Sequence, residues 1–215
     1  VCTVDLPVAY ERLLPGLPPP RTAARGRFSP SCVVWHAGVR GEAPAAASHH
    51  NIHFGEAWDE AFDDLLVHGR PMRDPSRFVA VPSIHDPEAA PEGCTSLYVL
   101  EPTPNLAVGR LDWGREGPRL RDRMRADLQR WGYPTEVVTE HLVTPADWLA
   151  QGLGAGTPFA LAHTFGQTGP FRPRNTDRRV PGLVFAGSST TPGVGIPMVL
   201  ISGRLAARRI RELGR

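Results

Sequence analysis

Two spacings of apolar residues account for most of the chain. Within residues 30–112, short apolar runs alternate with turn-rich loops. The runs are Ser31-Cys32-Val33-Val34-Trp35-His36-Ala37-Gly38-Val39, Asn51-Ile52-His53-Phe54, Arg77-Phe78-Val79-Ala80-Val81-Pro82 and Ser96-Leu97-Tyr98-Val99-Leu100. Runs of this length between Gly, Pro and Asp predict strands. Residues 136–143 alternate in polarity and predict another. Helical spacing governs residues 56–66, where Trp58, Phe62, Leu65 and Leu66 share a face and Asp59, Glu60, Asp63 and Asp64 largely point away. Leu120, Met124, Leu128 and Trp131 repeat that spacing up to Gly132. Thr144-Pro145-Ala146-Asp147 then marks a helix start, with Thr as N-cap, Pro at the first position and Asp at the third.

The two ends of the chain read differently. Residues 1–4 predict the end of a strand, and Asp5-Leu6-Pro7 predicts a short helix with Asp5 as its N-cap. Pro15-Gly16 and Pro18-Pro19-Pro20 stop it, and a linker follows to about Phe28. Near the other end, Pro181-Gly182 introduces an apolar run at 183–186 that predicts a central strand covered on both faces. Residues 187–195 carry almost no side-chain bulk, so backbone N–H groups can approach a ligand closely. From about Pro197 the pattern is helical. Val199, Leu200, Gly203, Ala206, Ala207 and Ile210 lie on one side, and Arg204, Arg208, Arg209 and Arg211 mostly on another. A strand, a tight small-residue loop and a helix N-terminus together accept an anionic group such as a pyrophosphate. The plainer reading is a βα turn whose glycines serve only packing, and local features leave both open.

A length of 215 residues fits one large domain or two small ones, and a hydrophobic fraction of 41% supplies a core. The net charge of +2 gives no ground for a nucleic-acid partner. Every basic residue other than histidine is Arg, and these are read mainly as solvated surface charges. Cys2, Cys32 and Cys94 are odd in number and widely spaced, which argues against a disulfide framework and fits a reducing cytoplasm. No apolar run approaches the roughly 18 residues that span a bilayer. Val1-Cys2-Thr3-Val4 opens as if inside a strand, so the expectation is a piece of something longer.

No residue pattern nominates a nucleophile: there is no G-x-S-x-G elbow, Walker motif or Cys/His dyad context. His49, His50 and His53 invite a metal reading. Partners at ligand spacing are missing, and adjacent strand residues face opposite sides, so no metal is expected. Gly152-Leu153-Gly154-Ala155-Gly156-Thr157 is glycine-rich but follows a helix and ends in Thr, unlike a dinucleotide fingerprint. For Arg172 a packing role is the default, beside pairing with a carboxylate or lining a channel.

Gly187-Ser188-Ser189-Thr190-Thr191-Pro192-Gly193-Val194-Gly195-Ile196-Pro197-Met198-Val199-Leu200 resembles the C-terminal flavin-contacting motif of the bacterial-type phytoene desaturases, FAD-dependent enzymes of the amine-oxidase-like superfamily. Many members have histidine where Thr191 stands. A second block is similar to the family's middle segment. It comprises His49-His50-Asn51-Ile52-His53-Phe54-Gly55, the helix after it, Pro82-Ser83-Ile84-His85-Asp86-Pro87 through Pro91-Glu92-Gly93-Cys94, and above all Tyr98-Val99-Leu100-Glu101-Pro102-Thr103-Pro104-Asn105-Leu106. Phe165 to Asn175 resembles the family's approach to the last strand.

The resemblance implies FAD, contacted by Gly187, Ser188, Ser189, Gly195, Ile196, Pro197 and Met198, and assigns no catalytic side chain and no metal. It implies an α/β fold: an incomplete Rossmann-like FAD-binding domain from residues 1–22 and 144–215, with a mixed-sheet substrate domain inserted at 23–143. The implied activity is desaturation of a lipophilic polyene carotenoid precursor at a membrane surface, with peripheral attachment and no nucleic acid. The resemblance covers only the family's C-terminal half, so the expected partner is a missing N-terminal dinucleotide-binding half. Two alternatives stay open: a non-catalytic or partner-dependent module that binds isoprenoid or flavin, and a related FAD enzyme such as a carotenoid ketolase.

Overall fold

Strand and helix signals translate into eleven principal elements in a computed structural model that describes residues 1–213. In chain order they are α1 (Leu6–Arg12), α2 (Arg21–Ala24), β1 (Ser31–Arg40), β2 (His50–His53), α3 (Trp58–Leu66), β3 (Arg77–Ala80), β4 (Cys94–Thr103), α4 (Trp113–Arg130), β5 (Glu136–Val143), α5 (Pro145–Ala150) and α6 (Ile196–Leu213). The chain divides into two compact units. One is Ser31–Asp147, the other Val1–Pro30 with Trp148–Arg215.

Ser31–Asp147 is built on one five-stranded sheet in the order β2-β3-β4-β1-β5. Every pairing is antiparallel, which corrects the expected mixed sheet. The reason lies in the connection through α4. It joins β4 to β5, which run in the same direction but flank β1 on opposite sides, so the two parallel strands never pair. Alternation along the strands sends Val33, Trp35, Ala37 and Val39 of β1 and Leu97 and Val99 of β4 into one core with Leu120, Met124 and Leu128 of α4. Those three helix residues, four apart, are all within 2% of full burial, and each contributes about 1.5–3 kcal/mol by leaving water. Asp112 caps α4 by accepting from the Gly114 N–H at 3.1 Å. At the far end Gly132 takes a φ of +80°, which stops the helix where the spacing predicts.

A buried ionic cluster joins α4 to the sheet. Arg77 of β3 pairs with Glu101 of β4 and with Asp127 of α4, while Arg123 pairs with Glu101 and Arg130 with Asp127. The helix α3 departs from expectation. Its buried residues are Ala61, Asp64 and Leu65, whereas Trp58, Phe62 and Leu66 are exposed. Asp64 turns inward because Arg70 and Arg73 neutralise it at 2.7 and 3.3 Å. The aromatic ridge Phe54-Trp58-Phe62, with ring centroids 5.7 and 5.9 Å apart, therefore faces out.

In the other unit, Leu6, Ala9 and Tyr10 of α1 pack with Ala23 and Phe185. The strand expected at 183–186 shrinks to two bridge residues. Phe185 pairs in parallel with Cys2 and Val184 antiparallel with Thr176, and both are nearly fully buried. No longer ladder forms there among the described residues. On α6 the inward residues are Ser202 and Ala206, whereas Met198, Leu200, Ile201 and Ile210 are exposed, so the predicted apolar side is largely uncovered.

Candidate functional site

Residues 187–198 form one continuous loop and helix start, and the structure splits them into two halves. The inner half is stitched to the protein. Gly187 has a φ of +127° and donates its N–H to Ser202 Oγ at 3.1 Å. The Ser188 carbonyl accepts from Arg172 Nη2 at 2.5 Å. Ser189 is buried, and its hydroxyl donates to Asp5 Oδ1. Thr191 donates from both N–H and hydroxyl to the Pro173 carbonyl, at 2.9 and 3.1 Å, just before a cis Thr191–Pro192 peptide.

Four side chains outside the predicted set do most of this holding. Asn175 Nδ2 lies within 3.0–3.3 Å of Thr191 O, Phe185 O, Thr190 Oγ1 and Ser202 Oγ, so one amide ties the bridge segment, the loop and α6 together. Arg172, 2% exposed, directs Nη1 to the Leu161 carbonyl at 2.7 Å, with those of Ala162 and Gln167 close by. This is the packing role expected of it. Burial draws its pKa down while Asp5 pulls it up, and a guanidinium stays charged in any case. Asp5 does not cap α1. Its carboxylate accepts from the Gly154 N–H at 2.7 Å as well as from Ser189. Burial raises its pKa, against the pull of the Gly154 and Leu6 N–H groups and of Arg172. The fourth is His163, whose Nε2 accepts from the Val194 N–H at 3.1 Å.

The outer half is open. Gly195 adopts a φ of +105° with empty space where a Cβ would stand, and Ile196, Pro197 and Met198 are exposed. The first intrahelical bond of α6 runs from the Val199 N–H to the Gly195 carbonyl at 2.9 Å. The N–H groups of Gly195, Ile196 and Met198 have no acceptor among the described residues. They stand at the positive end of an 18-residue helix, which is an arrangement for holding a negative or electron-rich group. Gly187, Ser188 and Ser189 thus shape the loop, whereas Gly195, Ile196 and Met198 present donors.

Other predicted features have plainer roles. The Gly154 amide is spent on Asp5, and a Cβ there would strike Asp5 and Phe28, so the glycine-rich 152–157 stretch is a packing turn. His53 stacks on Trp131 with centroids 3.8 Å apart, while His49 lies beside His50 and His85. Among the described residues no three His, Cys, Asp or Glu side chains converge on a metal position. In Ser31–Asp147, a groove of about 520 Å³ lies over the sheet between His36, Tyr98 and His141 on one side and Pro82 and Ala89 to Pro91 on the other.

An antiparallel sheet backed by helices, and a small-residue loop opening a long helix, define a mixed α/β protein, and comparison with known proteins makes its class specific. Residues 1–211 match the model of the flavin containing amine oxidoreductases, and the chain belongs to that family. Over 215 residues it is 51% identical to a phytoene dehydrogenase of Streptomyces griseus, covering 98% of this chain and 42% of that protein. It is 39% identical to a zeta-carotene-forming phytoene desaturase of Myxococcus xanthus, covering 98% and 41%. Identity to a lycopene-forming phytoene desaturase of Pantoea ananas is 37%, covering 86% and 38%. The chain therefore spans about two-fifths of the length of these relatives.

The family's cofactor is a flavin, and the outer half of the loop fits one. Three unpaired amide donors, a glycine that leaves open space, and a helix dipole of the right sign suit the anionic or carbonyl groups of such a ligand. No helix among the described residues is long and apolar enough to cross a membrane.

Proposed function

We propose that the protein carrying this chain is an FAD-dependent oxidoreductase that desaturates a lipophilic, phytoene-type polyene in carotenoid biosynthesis. The observation that carries this reading is the 51% identity to a phytoene dehydrogenase across nearly the whole chain. In this reading Val1–Pro30 and Trp148–Arg215 contribute part of a Rossmann-like FAD-binding domain, and the sheet of Ser31–Asp147 serves as the substrate domain.

The flavin, when bound, supplies the two-electron acceptor. The chain's part is to bind and orient. Gly195, Ile196 and Met198 offer N–H groups to the cofactor, and Arg172, Asn175 and Asp5 keep the loop beneath them in one shape. No side chain is assigned to proton transfer. A G-x-G-x-x-G grip for the adenosine end is not present in this sequence, so that end falls to a dinucleotide-binding segment outside it. The polyene partitions into lipid, which makes a membrane surface the place of work, reached by peripheral contact.

Anaerobic mixing of the flavin-loaded protein with phytoene tests the proposal. Bleaching of the flavin absorbance together with a desaturated product supports it. Unbleached flavin with unchanged phytoene contradicts it and favours the second reading, a partner-dependent module that binds flavin or isoprenoid without turnover.

A further inference from the structure

His163 lies against the loop at Gly193 and Val194, just before its open outer half. Its Nε2 accepts from the Val194 N–H at 3.1 Å, and a Cβ on Gly193 would run into its ring, so the imidazole touches the loop backbone directly. An amide N–H can only donate, so Nε2 must carry a lone pair and Nδ1 the proton. Thr168 Oγ1, 3.4 Å from Nδ1, is on hand to accept it. The Val194 amide immediately precedes the three donors left open for a ligand, those of Gly195, Ile196 and Met198. Fixing Val194 therefore fixes the direction in which they point.

We propose that His163 is a positioning residue of the flavin loop, which as a neutral acceptor holds Gly193 and Val194 in the binding shape and on protonation lets them go. The inference rests on the flavin reading of this loop. Protonated, the ring would set an N–H against the Val194 N–H and place a second cation near the buried Arg172. Arg172 is the charged group that acts on His163, and Asp5 acts on Arg172 in turn. The other contacts, from Thr168, Gly193 and Val194, are uncharged. Burial first, and Arg172 second, push the imidazole below its ordinary value, so the neutral form prevails at neutral pH.

The test is the dissociation constant for FAD of the protein carrying this chain, measured by flavin fluorescence from about pH 8 to about pH 5, the range in which histidine changes charge. Wild type, His163→Gln and His163→Ala are compared, and the Val194 amide chemical shift is followed over the same range without FAD. Gln offers an acceptor that does not titrate. Losing the acceptor bond and facing two donors should weaken FAD binding by wild type about tenfold or more on acidification. His163→Gln should bind with wild-type affinity at neutral pH and stay flat within about twofold, and His163→Ala should be weak throughout. The Val194 amide should titrate in wild type and not in His163→Gln.

A flat wild-type profile, or the same acid weakening in His163→Gln, overturns the inference and leaves the flavin reading intact. Absence of FAD binding by wild type at every pH overturns the flavin reading, and the inference falls with it.

Discussion

The guanidinium of Arg172 donates to the Ser188 carbonyl at 2.5 Å and to the Leu161 carbonyl at 2.7 Å, joining the segment before the loop to the loop itself. Lysine cannot reproduce that fork, because its three N–H donors radiate from one point. Arg172→Lys should therefore lower unfolding free energy by about 2–3 kcal/mol, the cost of leaving carbonyls unsatisfied beside a buried cation. Urea unfolding of the variant checks this, with an unchanged midpoint as the adverse result.

Asn175 gives a sharper contrast. Asp has the same shape, but it would replace an amide donor with an acceptor facing the carbonyls of Phe185 and Thr191. Asn175→Asp should cost about 3 kcal/mol or more, and less in acid, where the carboxyl takes up a proton and can donate again. Stability equal to wild type at neutral pH would show that the amide is not the tie described.

Much of the Ser31–Asp147 unit was legible from spacing alone. β5 spans Glu136–Val143 as predicted, and Asp147 accepts from the Thr144 N–H at 2.8 Å, as the cap signal implies. Three things were not legible. The sheet's antiparallel order depends on which strands α4 bridges, and that is a matter of topology rather than periodicity. The facing of α3 turns on Asp64, whose partners Arg70 and Arg73 lie beyond the helix and outweigh the apolar stripe. The residues holding the loop come from far along the chain: Asp5 is 184 positions from Ser189, and no local pattern links the two. Asn175 and Arg172 lay inside a stretch that resembles the family, which was the one available signal for them.

Tyr10 Oη donates to Asp177 Oδ2 at 2.6 Å. Arg179 and this hydroxyl hold the Asp177 carboxyl well below 3.8, and burial with the same bond pushes Tyr10 up to about 12. Asp177 therefore adds stability above the unfolded value near 3.8 that is lost as pH falls through its lower folded value. Tyr10 adds stability below 10 that is lost as pH rises from 10 towards 12. Tyr10→Phe should flatten both edges of the stability–pH profile, as read by thermal unfolding, and an unaltered profile would refute the coupling.

The cluster under α4 should respond to deletion more than to replacement. Arg77→Ala leaves Glu101 and Asp127 buried with less compensation and should cost about 3–5 kcal/mol. Burial already pushes Glu101 up to about 7 against the pull of Arg123, so the variant should take up a proton at neutral pH. A volume-matched Arg77→Met combined with Glu101→Gln should recover part of the loss, and denaturant midpoints of the two variants decide it.

On α3, Leu65→Ala should cost about 2–5 kcal/mol as a buried truncation. Trp58→Ser and Phe62→Ser, on the exposed ridge, should each stay within about 0.5 kcal/mol. The opposite ranking in denaturant unfolding would mean that the apolar stripe, not Leu65, faces the core.

The central claim is that the open N–H groups at the start of α6 receive the flavin. Amide hydrogen exchange of the protein carrying this chain, with and without FAD, addresses it most directly. The account predicts that Gly195, Ile196 and Met198 become protected about tenfold or more on binding, while amides already bonded within the protein, such as those of Gly187 and Thr191, change little. Bound FAD with no protection at those three amides would contradict it.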